Sequence, residues 1–89
     1  MYLSYRVISF GPSDSGSIWT SPRYFSDEMS ARMFFNEVKY DPDITGAFLV
    51  RVRTNDWTVL AESNTEGMSI DMTPQGGISV SKAPQLVLL

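Results

Sequence analysis

The 89-residue chain contains neither cysteine nor histidine. Without cysteine, the chain can form no disulfide, no thiolate metal site and no cysteine nucleophile. Without histidine, it lacks the commonest general base, the commonest metal ligand and every serine–histidine triad. The sequence therefore predicts a protein that is not an enzyme and that holds no cofactor and no metal ion.

Clustered positive charge and long apolar runs are also scarce. Seven Lys and Arg residues against ten Asp and Glu give a formal net charge of −3, which argues against non-specific nucleic-acid binding. No run approaches the roughly 18 apolar residues of a membrane span. Residues 1–10 lack the pattern of a signal peptide. We therefore expect a cytoplasmic protein with no membrane association.

The beginning of the chain predicts two strands. Residues 2–10 are rich in aromatic and β-branched side chains and end at a Gly-Pro pair, which is typical of a strand followed by a loop. Residues 18–20 predict a short second strand, which we expect Pro22 to end. The two segments together predict a hairpin with a long loop.

Residues 26–39 predict the helix of the domain, with Ser26 as its N-cap. Glu28 and Arg32 have the i,i+4 spacing of an exposed ion pair. The apolar residues on the core side follow helical spacing: Ala31, Phe34, Phe35 and Val38. Since that side already supplies a core face, Met29 and Met33 are expected to be partly exposed and are candidate partner-binding residues.

Residues 47–54 and 57–62 predict a hairpin around Asn55-Asp56, a pair that tolerates a tight turn. Pairing Thr54 with Trp57 sorts the apolar side chains onto one buried face. That face carries Phe48, Val50, Val52, Val59 and Ala61, with Val52 opposite Val59 and Val50 opposite Ala61. The exposed face carries Arg51, Arg53, Thr58 and Glu62, with Leu49 and Leu60 as apolar exceptions.

The remaining segments complete an α+β fold. Residues 68–72 and 78–81 predict a second, more exposed hairpin, and the apolar residues 85–89 predict a last strand or a docking segment. The order β-β-α-β-β-β-β predicts a single domain over residues 1–89. Its fold is an antiparallel sheet of four to five strands with one α-helix packed on one face.

Asp41 and Asp43 open the segment 41–46, which matches the first half of a calcium loop. The match fails further on, because Val52 stands where such a loop needs a bidentate glutamate. We therefore interpret the segment as a plain turn between helix and strand.

Surplus apolar groups without catalytic residues favour a non-enzymatic protein-binding module. Small accessory proteins of phages and mobile elements often have this character, and many act by inhibiting or modulating a host protein complex. The candidate partner-binding residues are Met29, Met33, Leu49, Leu60, Arg51, Arg53, Leu86 and Leu88. One alternative is a structural homo-oligomer subunit that associates through its apolar tail or an edge strand. Another is a single-stranded nucleic-acid binder that uses the sheet face carrying Arg51 and Arg53.

Overall fold

The structure, a computed structural model, describes residues 3–13, 17–54 and 56–82. These residues form six strands and one helix. In chain order the elements are β1 (Leu3–Pro12), β2 (Ile18–Phe25), α1 (Glu28–Val38), β3 (Gly46–Arg53), β4 (Trp57–Ser63), β5 (Met68–Met72) and β6 (Ile78–Lys82). The predicted α+β class and the predicted order of elements are confirmed.

Four strands form an antiparallel sheet in the spatial order β2-β1-β3-β4, and β5 and β6 pair in a separate two-stranded sheet. The helix connects β2 to β3 and lies against β1, β2 and β3 on one face of the four-stranded sheet. The predicted sheet with a helix on one face is therefore confirmed. The second predicted hairpin is also present, but it packs on the sheet as a separate layer.

The hairpin of β1 and β2 is longer than the sequence predicts, because β2 continues through Pro22 to Phe25. The expectation that Pro22 ends the strand is wrong. β2 is an edge strand of the sheet. Proline is tolerated on edge strands, where a missing N–H does not break the ladder on both sides.

The hairpin of β3 and β4 has a different register from the predicted one. Its last strand pair joins Val52 to Trp57, and the N–H of Arg53 donates to the carbonyl of Asp56 at 2.8 Å, so Trp57 lies opposite Val52 and not opposite Thr54 as predicted. Val50 lies opposite Val59, a shift of two residues that leaves both side chains on their predicted face. An irregularity beside Leu60 then pairs Leu49 with Ala61 and moves Ala61 to the other face.

The sheet separates two apolar clusters. The helix-side core lies between α1 and the sheet and contains Tyr5, Val7, Ala31, Phe35, Val38, Ala47 and Leu49. The hairpin-side core lies between the sheet and β5–β6 and contains Ile8, Phe10, Phe48, Val50, Val52 and Val80. Because both faces are covered, β3 is buried along most of its length. Leu49 is 0% exposed, so the expectation that it lies on the surface is wrong.

Candidate functional site

The helix begins one residue later than predicted, and its cap fixes the geometry of the first turn. Asp27, rather than Ser26, is the N-cap, and its carboxylate accepts a hydrogen bond from the Ser30 N–H at 2.8 Å. This hydrogen bond lowers the pKa of Asp27 below its ordinary value of 3.8. The negative charge at this end of the helix also interacts favourably with the helix dipole. The first turn, which carries Met29, is therefore held in a defined orientation.

A largely apolar stripe runs along the solvent side of α1 and into the turn that follows it. We call it the outer stripe, and it consists of Met29, Met33, Asn36 and Tyr40. These positions follow i, i+4, i+7 and i+11 spacing, which places them on one side of a helix. The N–H of Tyr40 donates to the carbonyl of Glu37 at 3.3 Å, so the helical turn extends past Val38 to this residue.

The outer stripe lies opposite the core side of the helix. At 100° per residue its mean direction is about 160° from that of the buried residues Ala31, Phe35 and Val38. Met29 is 74% exposed, Met33 61% and Tyr40 79%. The expectation that both methionines remain exposed is confirmed, and Tyr40 joins them as an exposed apolar group that the sequence analysis missed. Its helical spacing from Met29 and Met33 was a signal that could have found it.

The two flanks of the outer stripe differ in charge. On one flank the Nε of Arg32 lies 2.7 Å from the Oε2 of Glu28, which confirms the predicted pair, and Lys39 follows two turns along. The Lys39 ammonium lies 5.2 Å from the centroid of the Tyr40 ring. Helical spacing places Glu37 on the other flank. Met29, Met33 and Asn36 border a shallow hollow together with Glu28 and Arg32.

Arg51 and Arg53 project from the sheet face that carries the helix, beyond the part that the helix covers. Arg51 is half-buried opposite Tyr5, and Arg53 is exposed opposite Leu3. The Nε of Arg51 is buried and has no hydrogen-bond partner among the described residues. The three strands β1, β2 and β3 carry four arginines and no acidic residue, and Arg6 is the one of the four that pairs with Val50 on the hairpin side of the sheet.

The remaining candidate partner-binding residues belong neither to the outer stripe nor to the surface that carries Arg51 and Arg53. Leu60 is half-buried and packs against the helix-side core, because it lies at the irregularity in the β3–β4 register. Leu49 is fully buried beneath the helix and cannot contact a partner. Leu86, Leu88 and the rest of the predicted docking segment 85–89 lie outside the described residues.

Arg6 is a further polar residue of interest, to which the sequence assigns no predicted role. Its guanidinium carbon lies 5.1 Å from the centroid of the Tyr24 ring. Its Nη1 donates to the carbonyl of Gly76 at 3.5 Å, and its Nε is buried without an acceptor among the described residues. A lone cation within an apolar strand was the signal that could have identified it.

The acidic residues of the turn after the helix form hydrogen bonds with the backbone of that turn. The Asp43 N–H donates to the Oδ1 of Asp41 at 2.9 Å, and the Ile44 N–H donates to the Asp41 carbonyl at 3.1 Å. These bonds are those of the plain turn that the sequence analysis preferred to a calcium loop. Over residues 3–13, 17–54 and 56–82, no three acidic side chains come together in a way that could hold a metal ion.

Comparison with known proteins identifies no relative. The chain matches no protein-family model, no curated protein and no solved structure. In the part of the chain that the structure describes, no helix has the length and apolar character needed to span a membrane.

Proposed function

We propose that this protein is a non-enzymatic protein-binding module that docks through the outer stripe of α1. The observation that carries the proposal is the exposure of three large apolar side chains, Met29, Met33 and Tyr40, on the side of the helix opposite a filled core. Exposed apolar side chains that line up in this way are characteristic of interaction surfaces. Methionine and tyrosine are also enriched where proteins meet.

The spacing of the outer stripe supports a helix-in-groove mode of binding. Residues at i, i+4, i+7 and i+11 are the anchors that an amphipathic helix presents to an apolar groove. An 11-residue helix is about 16 Å long, and its outer face alone is smaller than the roughly 800 Å² per partner of a standard interface. A stable complex therefore requires a partner that also contacts the flanks of the helix.

The flanks define the charge of such a groove. The wall that meets Lys39 and the Arg32–Glu28 pair would carry an acidic group, and the wall that meets Glu37 would carry a basic group. A small protein that fills a groove also denies it to other ligands. This is the physical basis for proposing an inhibitor or modulator of a larger partner, of the kind that phages and mobile elements encode.

Site-specific photocrosslinking in a native lysate tests this proposal. A photoreactive residue at position 33 is expected to give one discrete adduct, and Met29→Glu in the same chain is expected to remove it. The charge at position 29 would be desolvated in the complex without a partner. A photoreactive residue at exposed Ser69, on β5, serves as the control and is expected to give no such adduct.

The substitutions themselves can be controlled for charge. Ser69→Glu with Ser79→Glu adds two negative charges on exposed positions of β5 and β6, as Met29→Glu with Met33→Glu does on the helix. The helix variant should lose the adduct while the hairpin variant keeps it, and both should remain folded by circular dichroism. An adduct that survives the helix substitutions would overturn the proposal.

A second candidate function is binding of single-stranded nucleic acid through Arg51 and Arg53. It is favoured by the acid-free strands around these residues and by the Arg51 Nε that lacks a partner among the described residues. Fluorescence anisotropy with a labelled oligonucleotide tests it, because phosphate contacts weaken steeply with salt. Binding that is absent at low salt, or unchanged by Arg51→Gln with Arg53→Gln, would reject it.

A third candidate is a homo-oligomer subunit that pairs through β4. This strand is an edge of the sheet, and four of its apolar side chains are only half-buried: Trp57, Val59, Leu60 and Ala61. Such an edge can pair with a copy of itself. Light scattering over a hundredfold concentration range tests this candidate, and a constant monomer mass would reject it.

A further inference from the structure

A pocket opens where β1 begins and β2 ends, away from the outer stripe. Its volume is about 420 Å³, which lies in the range of small-ligand sites. Its lining combines one guanidinium, three hydroxyl groups and apolar side chains, contributed by Leu3, Ser4, Arg6, Tyr24, Phe25 and Ser26. Cross-strand pairing of Arg6 with Tyr24 brings the cation and one aromatic ring together.

The guanidinium of Arg6 is held in place but is not neutralised. The Tyr24 ring lies against it at 5.1 Å, and the Gly76 carbonyl accepts a hydrogen bond from Nη1 at 3.5 Å. Among the described residues no carboxylate lies within 4.0 Å of this side chain. Arginine has five N–H donors, so most of its hydrogen-bonding capacity lacks an acceptor from this part of the chain.

The Nε of Arg6 adds an independent observation. It is buried and without an acceptor among the described residues, which is uncommon because such a group loses its water without replacement. The other groups that line the pocket suit a ligand that accepts hydrogen bonds from the Arg6 guanidinium. The Ser4 and Ser26 hydroxyls can donate to an oxyanion, and Leu3 and Phe25 offer apolar surface beside it.

We propose that this pocket binds a small organic anion, with its oxyanion head on Arg6 and its apolar body against Leu3 and Phe25. Arginine is the residue best suited to the head, because its planar fork donates two parallel hydrogen bonds to a carboxylate or a phosphate. The site is independent of the proposed protein-binding surface, since no residue of the outer stripe lines it.

Two-dimensional NMR titration tests the site with inorganic phosphate, phenyl phosphate and phenol as probes. Phenyl phosphate supplies both head and body, so we expect it to bind at least about tenfold more tightly than either of the other two. The Arg6 Nε–H signal and the amides of Ser4 and Tyr24 should move together. Equal, weak binding of all three probes would overturn the proposal.

Conservative variants separate a bidentate site from general attraction to positive charge. Arg6→Lys keeps the charge but removes the fork, so phenyl phosphate affinity should fall at least about tenfold. Arg32→Lys, an exposed position on α1 that does not line the pocket, should leave the affinity unchanged. If the two variants behave alike, the ligand is attracted by net charge and the site is rejected.

Two further variants provide a replacement for Arg6→Lys and a control for the other proposed site. If Arg6→Lys does not fold, Tyr24→Ala at a 63% exposed position replaces it, and the same loss of affinity is expected. Met29→Glu with Met33→Glu should bind phenyl phosphate like the unmodified chain. If this helix variant loses the protein partner but still binds phenyl phosphate, failure of the outer stripe is distinguished from failure of the pocket.

Discussion

Gly46 shows how strongly one residue is constrained where β3 begins. A Cβ added at this position would lie 2.5 Å from the Asn64 carbonyl oxygen, 2.6 Å from the Ser63 carbonyl oxygen and 2.7 Å from Cζ of Phe10. Two of these atoms belong to the backbone and cannot rotate away. Gly46→Ala should therefore destabilise the fold by about 1–3 kcal/mol, as overpacking does in well-packed interiors.

Chemical denaturation measures the Gly46→Ala effect, and Gly77 supplies the matched control. A Cβ at Gly77 would meet only the Thr73 hydroxyl, at 3.2 Å, a contact that is less close than those at Gly46 and involves no backbone atom. Gly77→Ala should therefore change stability less than Gly46→Ala. Equal midpoints for the two variants would contradict the close approach of β3 to residues 63 and 64.

The N-cap Asp27 predicts a pH dependence of stability. Hydrogen bonding from Ser30 lowers its folded-state pKa below the ordinary value of 3.8, so the carboxylate stabilises the fold above that value. This stabilisation is lost as the pH falls through the folded-state pKa. Asp27→Asn keeps a capping oxygen that does not titrate.

Denaturation profiles of three chains measured from neutral to acid pH check this assignment. Asp27→Ala should be less stable than the unmodified chain near neutral pH, and the difference should shrink below pH 3.8. Asp27→Asn should retain the cap in acid. Ser26→Ala should leave the profile unchanged, because Ser26 is not the cap; an effect as large as that of Asp27→Ala would contradict the observed helix start.

At the scale of the element, α1 carries two apolar sides of very different energetic weight. Phe35 is 6% exposed in the helix-side core, whereas Met33 is 61% exposed on the outer stripe. Phe35→Ala should lower the free energy of unfolding by about 3–5 kcal/mol, since it leaves a cavity. Met33→Ala should change it by no more than about 0.5 kcal/mol.

Urea denaturation of the two variants measures this contrast. Met29→Ala is a second surface variant and should resemble Met33→Ala, because it is equally free of core contacts on the described part of the chain. A large loss of stability in either methionine variant would mean that the outer stripe contributes to the fold. It would then no longer count as a surface kept for a partner.

The helix is the element that the sequence predicts best. Its apolar periodicity identified the core side, and the exposed methionines followed as a consequence of that spacing alone. The predicted N-cap lies one residue before the observed one, because Ser26 and Asp27 are both good capping residues. Only the geometry at the end of β2 selects between them.

The β3–β4 hairpin was predicted as an element but not in its register. Asn55-Asp56 suits a two-residue turn, yet the last strand pair joins Val52 to Trp57. A two-residue shift leaves the alternation intact, so the pattern could not detect the error near the turn. The irregularity beside Leu60 brings Leu60 and Ala61 against the helix-side core, a contact with distant residues that no local pattern contains.

At the scale of the whole molecule, the separation of the two cores predicts additive energetics. Phe35 belongs to the helix-side core and Val80 to the hairpin-side core, and the sheet lies between them. The stability losses of Phe35→Ala and Val80→Ala should therefore sum in the double variant to within about 0.5 kcal/mol.

A double-mutant cycle by chemical denaturation gives this coupling energy. Val80→Ala combined with Val52→Ala, both within the hairpin-side core, is the matched comparison and should deviate more from additivity. Coupling across the sheet as large as the coupling within one core would contradict two independent clusters.

The coverage of both sheet faces is also the property that could not be predicted from the sequence. Leu49 was expected at the surface because the alternation in β3 suggests one buried face and one exposed face. The residues that cover its second face belong to α1, and those that cover the first belong to β5 and β6. Whether a half-apolar face meets solvent or another layer depends on distant segments, so Leu49 and the Arg6 pocket emerge only in three dimensions.

The two cores on either side of one sheet also bear on how such a chain can diverge. Substitutions in β5 and β6 change the packing of the hairpin-side core. The orientation of α1 depends instead on the helix-side core. Lineages under pressure to change their exposed surface could therefore vary the exposed residues of β5 and β6 while retaining the helix that presents the outer stripe. The same separation makes the hairpin the natural place to graft a new loop or an affinity label.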